Sequence, residues 1–158
     1  MMKIALMALA LISNIIYCDQ ASAKSRNFNA NTQVTSTEYV DNGATGPSVG
    51  DITVVEADLL DPTSGQIIGN ATFRKIILKV DKATNTSKCD NLVAYSLPGG
   101  TIIATSITLD GLQTHLMINA VDRIVVGGNG KYDGVRGVVA NIPVSDKPGF
   151  YTHSFRFK

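Results

Sequence analysis

The chain has 158 residues, 44% hydrophobic and 17% charged, with 14 Lys and Arg against 13 Asp and Glu for a formal net charge of +1. That length holds one domain once any leader is removed, and the absence of a long basic block argues against nucleic acid as a partner. His115 and His153 stand far apart with no cysteine or carboxylate patterned around either, so the spacing indicates neither a metal site nor a cofactor.

Lys3 precedes an apolar run from Ile4 to Tyr17, and Ala21-Ser22-Ala23 has the small-x-small pattern of a signal-peptidase site. Met1 to Ala23 reads as a secretory signal, which makes the protein secreted, either extracellular or periplasmic. The alternative, a retained anchor, has to reckon with Ser13 and Asn14, which leave the run short of the ~20 apolar residues of a span. No stable membrane insertion is expected after cleavage. Cys18 departs with the leader and Cys89 remains alone, so no internal disulfide forms and stability comes from packing.

Residues 24–48 are rich in Asn, Thr, Ser and Gly and read as a flexible lead-in, with one edge strand at most over Thr35 to Val40. The folded domain is expected over 49–158. Ile52 to Leu60 is a strand stopped by Asp61-Pro62, because proline donates nothing to a ladder. Gln66 to Val80 is one long strand or two joined by a bend, followed by a polar loop from Asp81 to Asp90. Asn91 to Leu97 and Thr101 to Leu109 flank Pro98-Gly99-Gly100 as a hairpin. Leu116 to Val126, Lys131 to Ile142 and Phe150 to Phe157 complete the set. These are seven or eight short strands without helical periodicity, an all-β pattern open to either a sandwich or a barrel.

The stretch Arg123 to Val139 tips that choice. A β-branched run leads into Gly127, Gly128 and Gly130, and a second run is punctuated by Gly134 and Gly137. Glycine enters positive φ cheaply and admits close backbone approach, which is how a sheet is bent shut. Runs such as Ile76-Ile77-Leu78 and Ile124-Val125-Val126 are apolar at consecutive positions. Either a thick core or a homo-oligomer, dimer or trimer, would cover both faces.

Val126-Gly127-Gly128-Asn129-Gly130-Lys131-Tyr132, with Val135-Arg136-Gly137, resembles the glycine signature of allene oxide cyclases and plant dirigent proteins. Val49-Gly50-Asp51 through Leu60-Asp61, followed by Ile68-Gly69, resembles the first two strands of the same superfamily, and the two blocks span most of Val49 to Lys158. The resemblance implies a closed, antiparallel, calycin-like β-barrel of about eight strands.

Chemistry is sought first on Ile52 to Leu60. With a period of two, Ile52, Val54, Glu56, Asp58 and Leu60 share one face, and Thr53, Val55, Ala57 and Leu59 the other. Neither face is cleanly polar. If the first lines the cavity, two acids in apolar surroundings can divide acid and base roles; if the second does, both acids meet water or a neighbouring cation. The resemblance implies the inward reading. Aligned on Leu60-Asp61, Glu56 falls at the glutamate, and Asp58 at the asparagine, of a cavity-lining strand of the cyclases.

The same resemblance places the cyclases' cavity cysteine near Lys75, with Cys89 in a loop, and matches Arg136 to the dirigent corner arginine and Tyr132 to a barrel plug. Glu56 and Asp58 are therefore the candidate catalytic residues, and Ile52, Val54, Leu60, Lys75, Tyr95 and Arg136 the candidate ligand contacts. Three functions follow: a cofactor-free barrel that directs cyclisation, isomerisation or stereochemistry of a hydrophobic small molecule; a non-catalytic carrier of such a molecule; and a structural barrel packed shut.

Overall fold

The computed structural model describes residues 27–112 and 119–158. Eight strands follow one another: β1 Phe28–Val40, β2 Ile52–Leu60, β3 Ile67–Asp81, β4 Thr86–Leu97, β5 Gly100–Gly111, β6 Val121–Gly128, β7 Gly137–Pro143 and β8 Phe150–Phe157. Each pairs antiparallel with the next, and β1 pairs with β8 from Phe28↔Phe155 to Gln33↔Phe150, so the sheet closes into a barrel. The expected strands Ile52–Leu60 and Phe150–Phe157 stand at those residues, and Ile67–Asp81 is one strand. The leader Met1 to Ala23 and His115 lie outside the described residues.

Four boundaries differ from the sequence expectation, among them the strand expected over Leu116 to Val126, which runs Val121–Gly128. Residues 28–40, expected within a flexible lead-in, form a full barrel strand bonded on both sides. Its inward positions, Ala30 and Thr32, are small and fully buried, so the strand carries little of the bulky alternation by which strands are recognised. The expected loop from Asp81 to Asp90 is a tight turn, and β4 already starts at Thr86 because its inward residues Ser87 and Asn91 are polar and yet buried. Lys131 to Tyr132 belongs to a short 3-10 helix, Gly130–Tyr132, and β7 begins only at Gly137.

The barrel has two unlike poles. At the pole of the β2–β3, β4–β5 and β6–β7 connections, Leu59, Tyr95, Ile102, Tyr132, Val135 and Phe155 pack in one apolar cluster. Phe28 stacks on Phe155 with ring centroids 4.2 Å apart, and Tyr95 meets Phe155 edge to face at 5.0 Å. Burying each such ring is worth about 1.5–3 kcal/mol, so this plug is a main source of stability. At the other pole the buried set turns polar: Asp51, Thr53, Ser87, Asn91 and Thr108.

The glycine corner ties the plugged pole together. Asn129 donates its N–H to Thr101 O at 2.9 Å and accepts the Thr101 N–H on Oδ1 at 2.8 Å, while Lys131 N–H donates to Gly99 O at 2.8 Å. Between them Gly130 has φ +59°, and a Cβ there would lie 2.1 Å from Gly99 O. Gly134 has a similar φ, +69°, but open space around it. Gly130→Ala is therefore expected to cost roughly 2–4 kcal/mol, from strain plus a backbone clash, and Gly134→Ala only about 1–2 kcal/mol from strain. Urea denaturation of both variants checks this, and equal losses would refute the clash.

Candidate functional site

On β2 the buried residues are Thr53, Val55, Ala57 and Leu59, while Ile52, Val54, Glu56, Asp58 and Leu60 are half-buried on the opposite, outer face. The expectation that Glu56 and Asp58 line the cavity, with Ile52, Val54 and Leu60 beside them, is thus corrected. Glu56 instead accepts a hydrogen bond from Thr72 Oγ1 at 2.9 Å. The cause is space. Ala57 sits opposite Ala71 on β3, and a barrel of eight strands is just wide enough inside for its side chains to fill.

The other expected residues separate. Lys75 points inward from β3 and lines the cavity; Tyr95 points inward from β4 and is fully buried beneath it. Arg136 is exposed at the glycine corner and donates from Nη1 to Val135 O at 2.8 Å, so it braces the corner and is no ligand contact. Tyr132 is buried in the plug. Cys89, expected in a loop, is on β4 and fully buried, its Sγ 3.3 Å from Ser87 Oγ. Burial pushes its thiol pKa up from the usual value.

The cavity lies toward the polar pole. Its volume is about 40 Å³, room for roughly three waters. Val34, Val55, Phe73 and Val93 give it apolar walls, and Lys75, Asn91, Arg123, Asn141 and Tyr151 bring polar atoms to it. Arg74 and Leu92 border it from the intervening positions of their strands. Lys75 Nζ stands 3.7 Å from Asp110 Oδ2.

Arg123, His153 and Tyr95 form a connected cluster at its floor. Arg123 is 1% exposed, and its guanidinium lies over the Phe73 ring, 5.5 Å from the centroid, a cation–π arrangement. It also hydrogen-bonds the Tyr95 hydroxyl. Tyr95 Oη is 3.3 Å from His153 Nδ1, and His153 Nε2 is 2.9 Å from Thr32 Oγ1. Arg123 can only donate, so the Tyr95 oxygen accepts from it and passes its own hydrogen to His153 Nδ1. His153 then carries its proton on Nε2 and donates to Thr32.

Burial, and then the Arg123 charge, push the His153 pKa down to about 3, so the ring is neutral. Burial pushes Tyr95 up to about 12, against the opposing charge and hydrogen bond of Arg123. One permanent cation therefore heads a chain of neutral groups.

A second polar knot holds the loop joining β1 to β2 at the same pole. Asp51 accepts hydrogen bonds from the Tyr39 hydroxyl, the Asn42 N–H, and both the N–H and hydroxyl of Ser48. Burial raises its pKa, but those bonds outweigh it and hold the carboxyl at about 2. The bond to Asp51, then burial and the charges of Asp51 and Asp41, lift Tyr39 to about 12.

The sequence reading missed Arg123, Thr32 and the pairing of His153 with Tyr95. Arg123 opens an apolar run in which Ile124 and Val126 turn out exposed while Val125 is buried. The signal was parity: Arg123 shares a face with Val125, and small residues such as Ala57, Ala71 and Ala104 mark which faces look inward. Among the described residues no three His, Cys, Asp or Glu side chains converge as metal ligands.

Known structures resemble this architecture. A pyocyanin demethylase superposes with a TM-score of 0.69 at 17% identity, over 84% of this chain and 100% of its own. The Diels-Alderase AbmU from Streptomyces koyangensis gives 0.64 at 21%, over 85% and 69%. A pterocarpan synthase dirigent protein gives 0.54 at 14%, over 84% and 92%. At such identities the likeness shows the fold. No curated protein matches the sequence. Residues 30–155 do match the family described as the allene oxide cyclase barrel like domain, and on that match, together with the closed eight-stranded barrel, the chain belongs to this family.

Proposed function

We propose that the protein is an exported barrel that binds a hydrophobic small molecule in its cavity and directs its cyclisation, isomerisation or stereochemistry. The observation that carries the reading is an apolar-walled cavity, with Val34, Val55, Phe73 and Val93, set over the fixed polar chain Arg123–Tyr95–His153–Thr32. A rigid wall selects one folded shape of a flexible substrate, which lowers the barrier by orientation. The guanidinium then stabilises negative charge that develops on the substrate as bonds shift. Likeness in fold to a Diels-Alderase and a dirigent protein supports the same reading. The Met1 to Ala23 pattern supports export. Ile107, Leu109, Ile124, Val126 and Ile142 are exposed on β5, β6 and β7, which supports an oligomer that covers them.

The second reading, carriage without turnover, is favoured by one observation: the two acids of β2 face outward, which leaves no carboxylate pair for acid–base work. The two readings separate in one experiment. Organic extract of the source organism is incubated with the protein and with Val34→Trp, which fills the cavity. A shift in isomer composition at constant mass, read by chiral chromatography and absent with Val34→Trp, marks turnover; retention of an unchanged molecule marks carriage; neither leaves a packed structural barrel.

Two outcomes follow for single residues. Glu56→Gln and Asp58→Asn are expected to leave cavity binding and any turnover within about twofold of the parent, since both side chains lie on the outer face. Arg123→Met is expected to reduce turnover by at least about a hundredfold, the scale of losing one preorganised donor, with the fold monitored by circular dichroism.

Acid sensitivity reports on His153. Unfolded, it takes up a proton near pH 6.5; folded, only near 3. Between those values the unfolded state binds more protons, so stability falls as pH drops, by at most about 1.4 kcal/mol per pH unit. Asp51, held at about 2, adds to the fall below about pH 4. Urea denaturation at pH 7, 5.5 and 4.5 is expected to show this slope in the parent and a flatter one in His153→Gln. An unchanged slope would mean that His153 is not the neutral, buried ring described.

A further inference from the structure

The proposed function asks the barrel to admit a small molecule, yet the cavity as it stands, about 40 Å³, holds only a few waters. We propose that the Lys75 side chain is the gate of this cavity: drawn across the polar pole to Asp110 it keeps the interior small, and swung out into solvent it opens the interior to the molecule held there. This rests on the ligand-holding reading above and adds to it the way in.

The way in does not lie at the plugged pole, where Tyr95, Tyr132 and Phe155 belong to one buried cluster. At the polar pole the register of β3, β4 and β5 sets out the closure. Lys75 pairs with Asn91 on β4, while Asp110, next to the end of β5, pairs with Ser87. Ser87 and Asn91 are the buried residues on either side of Cys89 along the inner face of β4. Lys75 therefore stretches diagonally past Cys89 to bring Nζ within 3.7 Å of Asp110 Oδ2. The thiol feels both ends of that span. Behind burial, which raises its pKa, and the bond to Ser87, which lowers it, come the charge of Asp110, which raises it, and that of Lys75, which lowers it.

Lys75 suits the part of a gate. Its unbranched alkyl stem turns about every bond, and it lines the cavity. The side chains of Lys75 and Asp110 are 14% and 16% exposed, so the pair lies at the solvent boundary. At 3.7 Å the two form an ion pair without the geometry of a hydrogen bond. Pairs of that kind add little to stability where water reaches the separated charges. The neighbours are held in place: Asn91 donates to Thr108 Oγ1 at 2.9 Å, and Arg123 lies deep in the barrel over the Phe73 ring. Turning Lys75 outward thus removes its stem from the interior and leaves the Arg123–Tyr95–His153–Thr32 chain as it is.

Cys89, fully buried beside the span, reports the opening. The intact chain is treated with iodoacetamide, a neutral reagent, at one fixed pH, and alkylation is read by mass spectrometry on the peptide that contains Cys89. Lys75→Ala and Asp110→Asn are each expected to label at least about threefold faster than the parent, the scale of one ion pair at the solvent boundary. Salt at about 1 M is expected to speed the parent by screening the pair. Charge alone would act otherwise, since losing the acid favours the thiolate and losing the cation disfavours it. Lys75→Ala labelled no faster than the parent therefore overturns the gate. Rates that stay level in low urea mark a local opening, and rates that climb in step with global unfolding overturn it. If Lys75→Ala fails to fold, the salt response of the parent decides, and an unchanged rate overturns the gate. Toluene, titrated by ligand-observed NMR, tests the cavity itself. Because the parent binds only in its open fraction, Lys75→Ala is expected to bind toluene at least about threefold more tightly, and to lose it when Val34→Trp is added. Equal affinities for the parent and Lys75→Ala would overturn the gate and leave the ligand-holding barrel intact. Binding that survives Val34→Trp would place toluene on the surface and overturn the gate too. Toluene bound by neither chain, with labelling as expected, would overturn the ligand-holding reading and leave the moving side chain.

Discussion

An eight-stranded barrel closes around an interior with room for little more than the side chains that point into it, and that narrowness governs this molecule. Every inward position is a choice between filling the space and leaving it. At the plugged pole the choice is to fill: Tyr95, Ile102 and Phe155 interlock over the alanines at 30, 71 and 104. At the other pole short polar residues such as Thr53, Ser87, Asn91 and Thr108 also point inward, and a small cavity remains. The site is thus where the packing stops.

The same constraint explains what could be read from the chain alone. The strand Ile52–Leu60 was legible from its β-branched run and the Asp61-Pro62 stop, and the final strand Phe150–Phe157 from the Pro148-Gly149 turn before it. The glycine corner was legible because its backbone leaves no room for a side chain at Gly130. β1 was not legible, because a narrow interior wants Ala30 and Thr32 there, and residues that small do not look like a buried face. The direction of β2 was hidden for the complementary reason. Its outer face carries Ile52, Val54 and Leu60, so apolar content could not distinguish inside from outside, and the two acids were assigned to the wrong side. The small Ala57, set against Ala71, was the better indicator.

Placing a guanidinium inside such a barrel is expensive, since an ion taken out of water loses several kcal/mol of hydration. The surroundings recover part of that cost through the Phe73 ring and the Tyr95 hydroxyl. The price of keeping the cation also falls on its neighbours. His153 cannot take a second proton beside it, and Tyr95 stays protonated through burial, so both serve as fixed hydrogen-bonding groups rather than as an acid and a base. Their value is geometric: each link from Thr32 to Arg123 holds the next in one orientation, and a preorganised charge needs no rearrangement when charge develops beside it.

With Glu56 and Asp58 outside, the chemical character of the interior changes sign. A pair of acids would have suited proton exchange with a neutral or cationic intermediate. The cluster that occupies the interior carries a fixed positive charge instead, and its His153 and Tyr95 titrate far from neutral pH. Here the charge of the floor is set by the parity of a single residue near the start of β6. Had Arg123 fallen one position later, it would have shared the exposed face of Ile124 and Val126, and the cavity would have lost both a wall and its buried charge.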